Sequence, residues 1–197
     1  FDRTQPRRTL LVSEDPPTVV PLQLATSIAP DPTVTCSAEV IDRAQVAAVD
    51  WETVSLLIWH APLPEAEEAQ AVQAYVQRGG QVIFMPPRSA GGTDFMGVHW
   101  EDWVDSQLPL AVETWRGDQD LLANTQSGAA LPVGQLQVRR YRGLAGEVTP
   151  LASFKGGRPL LARLPTTRGG VYFCATTPDG GDSSLAANGV VLYVLAQ

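Results

Sequence analysis

The hydrophobic positions in the first part of the chain form short apolar runs separated by polar breaks, a pattern typical of strands that alternate with helices. Residues 9–12 form an apolar run that predicts a strand. The break at residues 13–17 ends in two prolines, which suit the start of a helix through residues 19–28. Apolar and polar residues then alternate over residues 34–40, which predicts a half-buried edge strand.

The clearest strand–helix–strand unit comes next. Residues 54–59 form a nearly continuous apolar run, as expected of a strand that is covered on both faces. Residues 64–78 begin with acidic residues and carry apolar residues at three- and four-residue steps, so a helix is predicted. Gly79 or Gly80 is expected to end this helix in the left-handed conformation, because the strand at residues 81–85 begins at once.

The second half of the chain is less regular. Residues 99–104 are interpreted as a turn of helix and residues 135–141 as a strand. Residues 151–163 have the form of a hairpin with a Gly-Gly turn. A final core strand is predicted at residues 169–176, followed by a closing helix at residues 183–195.

Together these elements predict an α/β domain of the flavodoxin-like type. We expect an open, mostly parallel sheet with helices on both faces and an antiparallel hairpin extension in the C-terminal half. With 197 residues the chain is long enough for one substantial core. Residues 1–197 are therefore expected to form a single domain, in which residues 88–150 are an irregular insertion or elaboration.

The charge of the chain argues against nucleic acid as a partner. There are 14 basic and 21 acidic residues, and a net charge of −7 repels a phosphate backbone. The sequence has no run of about 20 apolar residues that would span a bilayer. It opens at Phe1 without a Met and closes on the apolar residues 190–195, which indicates a domain taken from a longer protein.

Two segments resemble known families. The strand at residues 56–59, the helix that ends in Gly79-Gly80 and the strand at residues 81–84 resemble the class I glutamine amidotransferase-like superfamily. Residues 157–163, 168–173 and 182–186 resemble the tail of the extracytoplasmic domain of bacterial aerotolerance-regulator (BatA-like) membrane proteins.

The resemblance implies a location as well as a fold. It implies a flavodoxin-like sheet in a bacterial protein of the inner membrane, with this domain facing the periplasm or the cell exterior. The membrane would be reached only through flanking helices that are absent from this chain.

The resemblance does not carry catalysis over, since the position of the superfamily's cysteine nucleophile falls at Met85-Pro86-Pro87. A nucleophile elbow needs a reactive side chain and free backbone N–H groups, and proline has no N–H. No catalytic residue is predicted.

Polar residues at the predicted carboxyl ends of strands are the candidate binding residues, because ligands of open α/β sheets usually bind there. They are Glu14, Asp15, His60, Thr177 and Asp179. A histidine beside a carboxylate can act as a general base or a metal ligand. The same residue types are also common as helix caps and turn formers. No spacing demands a metal or a cofactor, and none is predicted.

The cysteines and tryptophans have simple structural interpretations. Cys36 and Cys174 lack metal or redox spacing and are expected to be buried free thiols. Cys174 is expected to be unreactive, because burial in apolar surroundings raises the pKa of a thiol. Trp100 and Trp103, beside His99, either attach a loop to the core or form a platform for a glycan.

Three function hypotheses follow. The leading one is a non-catalytic interaction or scaffolding domain of a bacterial membrane-anchored protein, with another protein as its partner. The second is a hydrolase or amidotransferase-like enzyme that uses His60 with nearby carboxylates. The third is a module that binds a glycan or another small ligand near Trp100 and Trp103.

Overall fold

The computed structural model describes residues 6–29, 33–89, 93–116, 122 and 131–189. No helix within these ranges is long and apolar enough to cross a bilayer. The strands and α-helices of the described residues are β1 (Arg7–Ser13), α1 (Pro16–Ser27), β2 (Cys36–Ile41), β3 (Leu56–His60), α2 (Ala66–Gln77), β4 (Gln81–Phe84), β5 (His99–Trp115), β6 (Gln137–Ala145), β7 (Thr149–Phe154), β8 (Pro159–Leu164) and β9 (Gly170–Cys174).

The described strands form one nine-stranded sheet in the order β2-β1-β3-β4-β9-β8-β7-β5-β6. Neighbouring strands from β2 to β9 are parallel. This part has the flavodoxin-like order, so the predicted parallel α/β sheet is confirmed at the N-terminal end. The remaining pairings, from β9 to β6, are antiparallel, and the sheet is therefore mixed rather than mostly parallel.

Alternate positions of the parallel strands contribute to two apolar clusters. One cluster combines side chains of α1 with strand residues, including Val19, Leu22, Leu11, Ile58 and Ile83. The other combines side chains of α2 with the intervening strand positions, including Val72, Val76, Leu10, Leu57 and Val82. Because successive side chains of a strand point to opposite faces, β3 is covered on both faces, as its apolar run predicts. The buried stripe predicted for α2 is also confirmed.

The antiparallel half is built around β5, which pairs with β6 along its first part and with β7 at its end. Residues 99–104 begin this strand, so the predicted turn of helix is wrong. The reason is visible in the burial pattern: Trp100 is buried between exposed His99 and Glu101, a period of two that belongs to a strand. The predicted hairpin is confirmed in β7 and β8.

The outer edge of β6 bonds back to the chain that follows β9. The backbone N–H of Arg142 donates to the carbonyl of Ala175, and those of Arg139 and Arg140 donate to the carbonyl of Asp182. The backbone after β9 thus covers the sheet edge at β6. Proteins often cover strand edges in this way, because a free edge can pair with another chain.

The closing helix predicted at residues 183–195 is not formed over the residues that the structure describes. Ser183 forms an isolated bridge with Val138, residues 184–189 form bends and turns, and residues 190–195 lie outside the described ranges. The side chain of Ser183 donates to the carbonyl of Thr177, and the N–H of Ser184 donates to Gln137 on β6. These bonds use groups that a helix would need for its own hydrogen bonds. Serine side chains commonly compete with helix formation in this way.

Gly79 ends α2 in the left-handed region with φ of 105°, which confirms the predicted helix stop. No atom lies within 4 Å of the position that a Cβ would occupy there, so a side chain is opposed by backbone strain alone. Gly79→Val is expected to lower the free energy of unfolding by about 1–2 kcal/mol in urea titrations. Gly180→Val is the control, since Gly180 has the same open space without a positive φ. Equal losses of unfolding free energy in Gly79→Val and Gly180→Val would contradict the assignment of strain to the positive φ of Gly79.

Candidate functional site

The strand order reverses between β1 and β3, and in open α/β sheets such a switch point opens a crevice at the carboxyl ends of the strands. Ser13 lies opposite His60 in the register of β1 and β3. A continuous network of hydrogen bonds and ion pairs links this pair to the other polar strand ends. The network includes all five sequence-predicted candidates, Glu14, Asp15, His60, Thr177 and Asp179.

His60 is fully buried at the base of this network. Its Nδ1 lies 3.0 Å from the Oγ of Ser13, which also accepts the backbone N–H of Asp15 at 3.1 Å. We assign the hydroxyl hydrogen to Nδ1, so the imidazole hydrogen is on Nε2, which has no hydrogen-bond partner among the described residues. Burial lowers the pKa of His60, and this effect outweighs the carboxylates of Glu14 and Asp15, which act in the opposite direction.

The lowered pKa of His60 predicts a pH dependence of stability. The unfolded chain binds a proton near the ordinary pKa of 6.5, whereas the folded chain binds it only at lower pH. The stabilisation is therefore complete above pH 6.5 and is lost as the pH falls toward the folded-state pKa. His60→Gln is expected to flatten this slope in urea titrations at several pH values. The matched control is His99→Gln, since His99 is exposed. A slope that persists unchanged in His60→Gln would refute the assignment to this histidine.

The carboxylate of Glu14 occupies the backbone N–H groups that follow β4. Its Oε1 accepts the N–H of Arg88 at 2.7 Å and that of Ser89 at 3.2 Å, and its Oε2 accepts the Ser89 hydroxyl at 2.9 Å. In a hydrolase with a strand-end nucleophile, N–H groups at such a turn would bind the developing oxyanion. Here an acidic side chain of the same chain already binds them.

The side chain of Arg88 lies among the carboxylates at the other side of the network. Its guanidinium is 2.8 Å from Asp179, 3.4 Å from Asp15 and 3.8 Å from Asp182. Asp182 is nearly buried and also accepts the hydroxyl of Thr177 at 2.6 Å. One cation thus connects the ends of β1, β4 and β9.

Arg142 of β6 holds the same loop from its other side. The residue is only 2% exposed, and its guanidinium donates to the carbonyls of Glu101 at 2.6 Å, Ser89 at 3.1 Å and Pro87 at 3.4 Å. Burial lowers the pKa of Arg142, although Asp102 and Glu14 oppose this shift. The loop is therefore bound at its carbonyls by Arg142 and at its N–H groups by Glu14.

Within the network, polar groups at the strand ends are paired with one another. Met85, Pro86 and Pro87 are buried and supply no nucleophile. The Ser13 hydroxyl and the His60 ring are buried together. Among the described residues no group of three potential ligands is placed to hold a metal ion.

Two arginines of the network were not predicted as site residues from the sequence. Arg88 directly follows the proline pair at the end of β4, and this position at the carboxyl end of a parallel strand was a usable signal. Arg142 lies in the antiparallel part, where no pattern relates it to the ends of the parallel strands. Arg142 reaches the loop at residues 87–89 because β6 is hydrogen-bonded to the chain that follows β9.

All four of the tryptophans and cysteines singled out from the sequence lie on strands: Cys36, Trp100, Trp103 and Cys174. Trp100 is buried and contacts Phe173 edge-on at a ring-centroid distance of 5.6 Å, so it attaches β5 to the core. Trp103 lies 4.5 Å below the guanidinium of Arg140. Cys36 and Cys174 are free thiols, but Cys36 is only half-buried, because its strand lies at the sheet edge.

Cys174 is buried as predicted, and desolvation raises the pKa of its thiol to about 11. At neutral pH the reactive thiolate is therefore scarce. Iodoacetamide is expected to modify Cys36 faster than Cys174 in the native protein, as peptide mass spectrometry would show. Cys36→Ser leaves Cys174 as the only thiol and gives its rate separately. Rapid modification of Cys174 in the folded variant would contradict its burial.

No protein family matches the sequence, and no curated protein is significantly similar to it.

Solved structures are similar in fold. A ThuA-like protein from Bacteroides uniformis superposes with a TM-score of 0.63 at 11% identity, over 100% of this chain and 91% of that chain. A second ThuA-like protein, from Parabacteroides merdae, gives 0.59 at 14% identity over 97% and 88%. The chain has the fold of ThuA-like proteins. These belong to the class I glutamine amidotransferase-like superfamily, which agrees with the resemblance of residues 56–84.

Larger glycosidases contain a similar unit. A β-galactosidase from Marinomonas ef1 superposes with a TM-score of 0.56 at 12% identity, over 98% of this chain. The chain spans about a third of the length of the glycosidases it matches. At such identities the likeness concerns the fold alone.

Proposed function

We propose that this chain is a non-catalytic interaction domain whose strand-end site has been converted into a structural network. One observation carries the proposal: the backbone N–H groups after β4 bind the carboxylate of Glu14, while Arg88 is held by Asp15, Asp179 and Asp182. Both the anion-binding and the carboxylate groups of the crevice are satisfied within the chain. What remains for function is the surface.

The rival hypothesis is an enzyme that uses His60. A general base must lie within hydrogen-bond reach of the proton it removes. His60 is fully buried and its Nδ1 is engaged by Ser13, so the base would need a rearrangement of the whole network. Because the N–H groups after β4 are already bound, a hydrolase site here would also lack about 3 kcal/mol of transition-state stabilisation that free donors supply.

The proposal extends to the cellular context through the resemblance of residues 157–163, 168–173 and 182–186 to BatA-like proteins. We propose a bacterial protein anchored in the inner membrane, with this domain outside the cytoplasm and one helix layer on each face of its flavodoxin-like core. Another protein is the proposed partner. Protease digestion of intact spheroplasts tests the location: the domain is expected to be cleaved, and protection would contradict it.

Hydrolysis assays test the absence of catalysis. The purified domain is incubated with glutamine, a nitrophenyl ester and nitrophenyl glycosides, the last because glycosidases share the fold. We expect no turnover above that of buffer, and no difference between the wild type and His60→Ala. Turnover that disappears in His60→Ala, but persists in the exposed-site control His99→Ala, would establish the enzyme hypothesis instead.

A further inference from the structure

A groove runs along one side of α2, and none of the residues that line it belongs to the strand-end network. Its first part has a volume of about 480 Å³ and lies between α2 and the turn before β5. Its second part, of about 220 Å³, lies between α2 and the loop before β9. Both parts are lined by Gln73 and Met96, so they adjoin at these two side chains. Four of the α2 residues that line them follow steps of three or four positions and share one helix face: Ala66, Ala69, Gln73 and Val76. Gln77, four positions after Gln73, also lines the second part.

The two ends of the groove have opposite charges. Glu65 and Asp94 line the first part, whereas Arg168 lines the second. All three side chains are exposed, and Glu65 makes no capping bond to α2. A ligand that spans the groove therefore meets carboxylates at one end and a guanidinium at the other.

Met96 is placed in the groove at a cost to folding. Residues 95–98 form a tight turn in which Phe95 and Val98 exchange backbone hydrogen bonds, and φ is positive at both Met96 (54°) and Gly97 (82°). Such turns favour Asn, Asp or Gly at the first central position. Methionine there is strained, and its side chain is 45% exposed.

A second strained residue lies in the same place. Among the described residues, the only non-glycine positions with positive φ are Ala66 (45°) and Met96, and both line the groove. Backbone strain tends to persist where a site requires it. Methionine is also the side chain that adapts best to varied apolar partners.

We propose that this groove binds an extended segment of a partner protein, with a Lys or Arg at the Glu65/Asp94 end and an Asp or Glu at the Arg168 end. This inference rests on the proposed interaction function and names its surface. From Glu65 to Gln77 the helix rises about 18 Å, at about 1.5 Å per residue. An extended peptide covers this length with about five or six residues, at roughly 3.3 Å each. The segment therefore carries its two charges five or six positions apart.

Selection from a random heptapeptide phage library on the immobilised wild-type domain tests the groove. Enriched peptides are expected to carry a basic residue and an acidic residue five or six positions apart. Fluorescence anisotropy is then expected to show binding roughly tenfold weaker to the double variant Glu65→Gln/Asp94→Asn and several-fold weaker to Arg168→Gln. Glu113→Gln and Arg116→Gln change exposed charges on and beside β5 and are expected to bind as the wild type does.

Two further variants make the result specific. Arg168→Glu is expected to prefer peptides in which the acidic residue is replaced by Lys. Met96→Gly relieves the positive φ, so the melting temperature is expected to stay equal or to rise while peptide binding weakens. A purely structural role for Met96 would leave binding unchanged.

Defined outcomes would overturn the proposal. Enrichment without the charge pattern, no enrichment at all, or equal binding to the wild type and the groove variants would each exclude it. Dimerisation of the wild type that Arg168→Glu abolishes would assign the groove to a second copy of the chain. Peptides that bind elsewhere would leave the interaction function standing and remove only the groove, whereas hydrolytic turnover at His60 would remove the interaction function itself.

Discussion

Arg142→Met is expected to lower the free energy of unfolding by about 3 kcal/mol. The side chain is nearly buried and donates to the carbonyls of Pro87, Ser89 and Glu101. Methionine fills similar space but donates nothing, so these carbonyls lose their donor in a place that water reaches poorly. Urea titration followed by tryptophan fluorescence measures the loss.

Two variants control this result. Arg142→Lys keeps the charge but lacks the planar fork of donors, so an intermediate loss is expected. Arg139→Met changes an exposed arginine of the same strand and is expected to cost less than about 0.5 kcal/mol. A loss in Arg142→Met no greater than in Arg139→Met would show that Arg142 does not support the loop.

The second large effect is expected for Arg88→Met, at about 1–2 kcal/mol. The substitution leaves Asp15, Asp179 and Asp182 without the cation they share. The side chain of Arg88 is 32% exposed, so solvent and salt screen part of its interaction energy. The loss is therefore expected to shrink as sodium chloride is added.

Arg8→Met is the matched control for Arg88. Its side chain is 31% exposed; among the described residues it forms one ion pair, with Glu39 at the edge of the sheet, and donates to the hydroxyl of Thr53. A lone exposed pair contributes less than about 1 kcal/mol, so a smaller loss is expected. Equal losses and equal salt dependence in the two variants would mean that the shared position of Arg88 among three carboxylates adds nothing.

The parallel half of the fold could be predicted because its signals are local. The apolar run of β3, the stripe of α2 and the glycine stop at Gly79 each depend on residues within one element. The antiparallel half depends on distant partners. The start of β5 pairs with β6, its Trp100 packs on Phe173 of β9, and the N–H of Ser184, after β9, donates to Gln137 of β6.

The candidate site likewise combines residues that local signals place with residues whose roles depend on distant partners. Strand order alone places Glu14, Asp15, His60, Thr177 and Asp179 at one end of the sheet. What these residues do there depends on Arg88 and Arg142, whose partners lie far away in the sequence. Asp179 is 91 positions from Arg88, and Ser89 is 53 positions from Arg142, separations that no local pattern encodes.

The central claim is that the chain itself fills the strand-end site, and NMR spectroscopy of the Arg88 and Ser89 backbone amides tests it most directly. Sodium acetate and sodium phosphate are added to the labelled wild-type domain, with sodium chloride as the ionic-strength control. The variant Glu14→Ala provides the reference for an open site, because its Arg88 and Ser89 amides no longer have the Glu14 carboxylate as acceptor. The account predicts no saturable shift of the two amide signals in the wild type. A saturable shift in the wild type, equal to that in Glu14→Ala, would show that the site is open to ligands and would contradict the account.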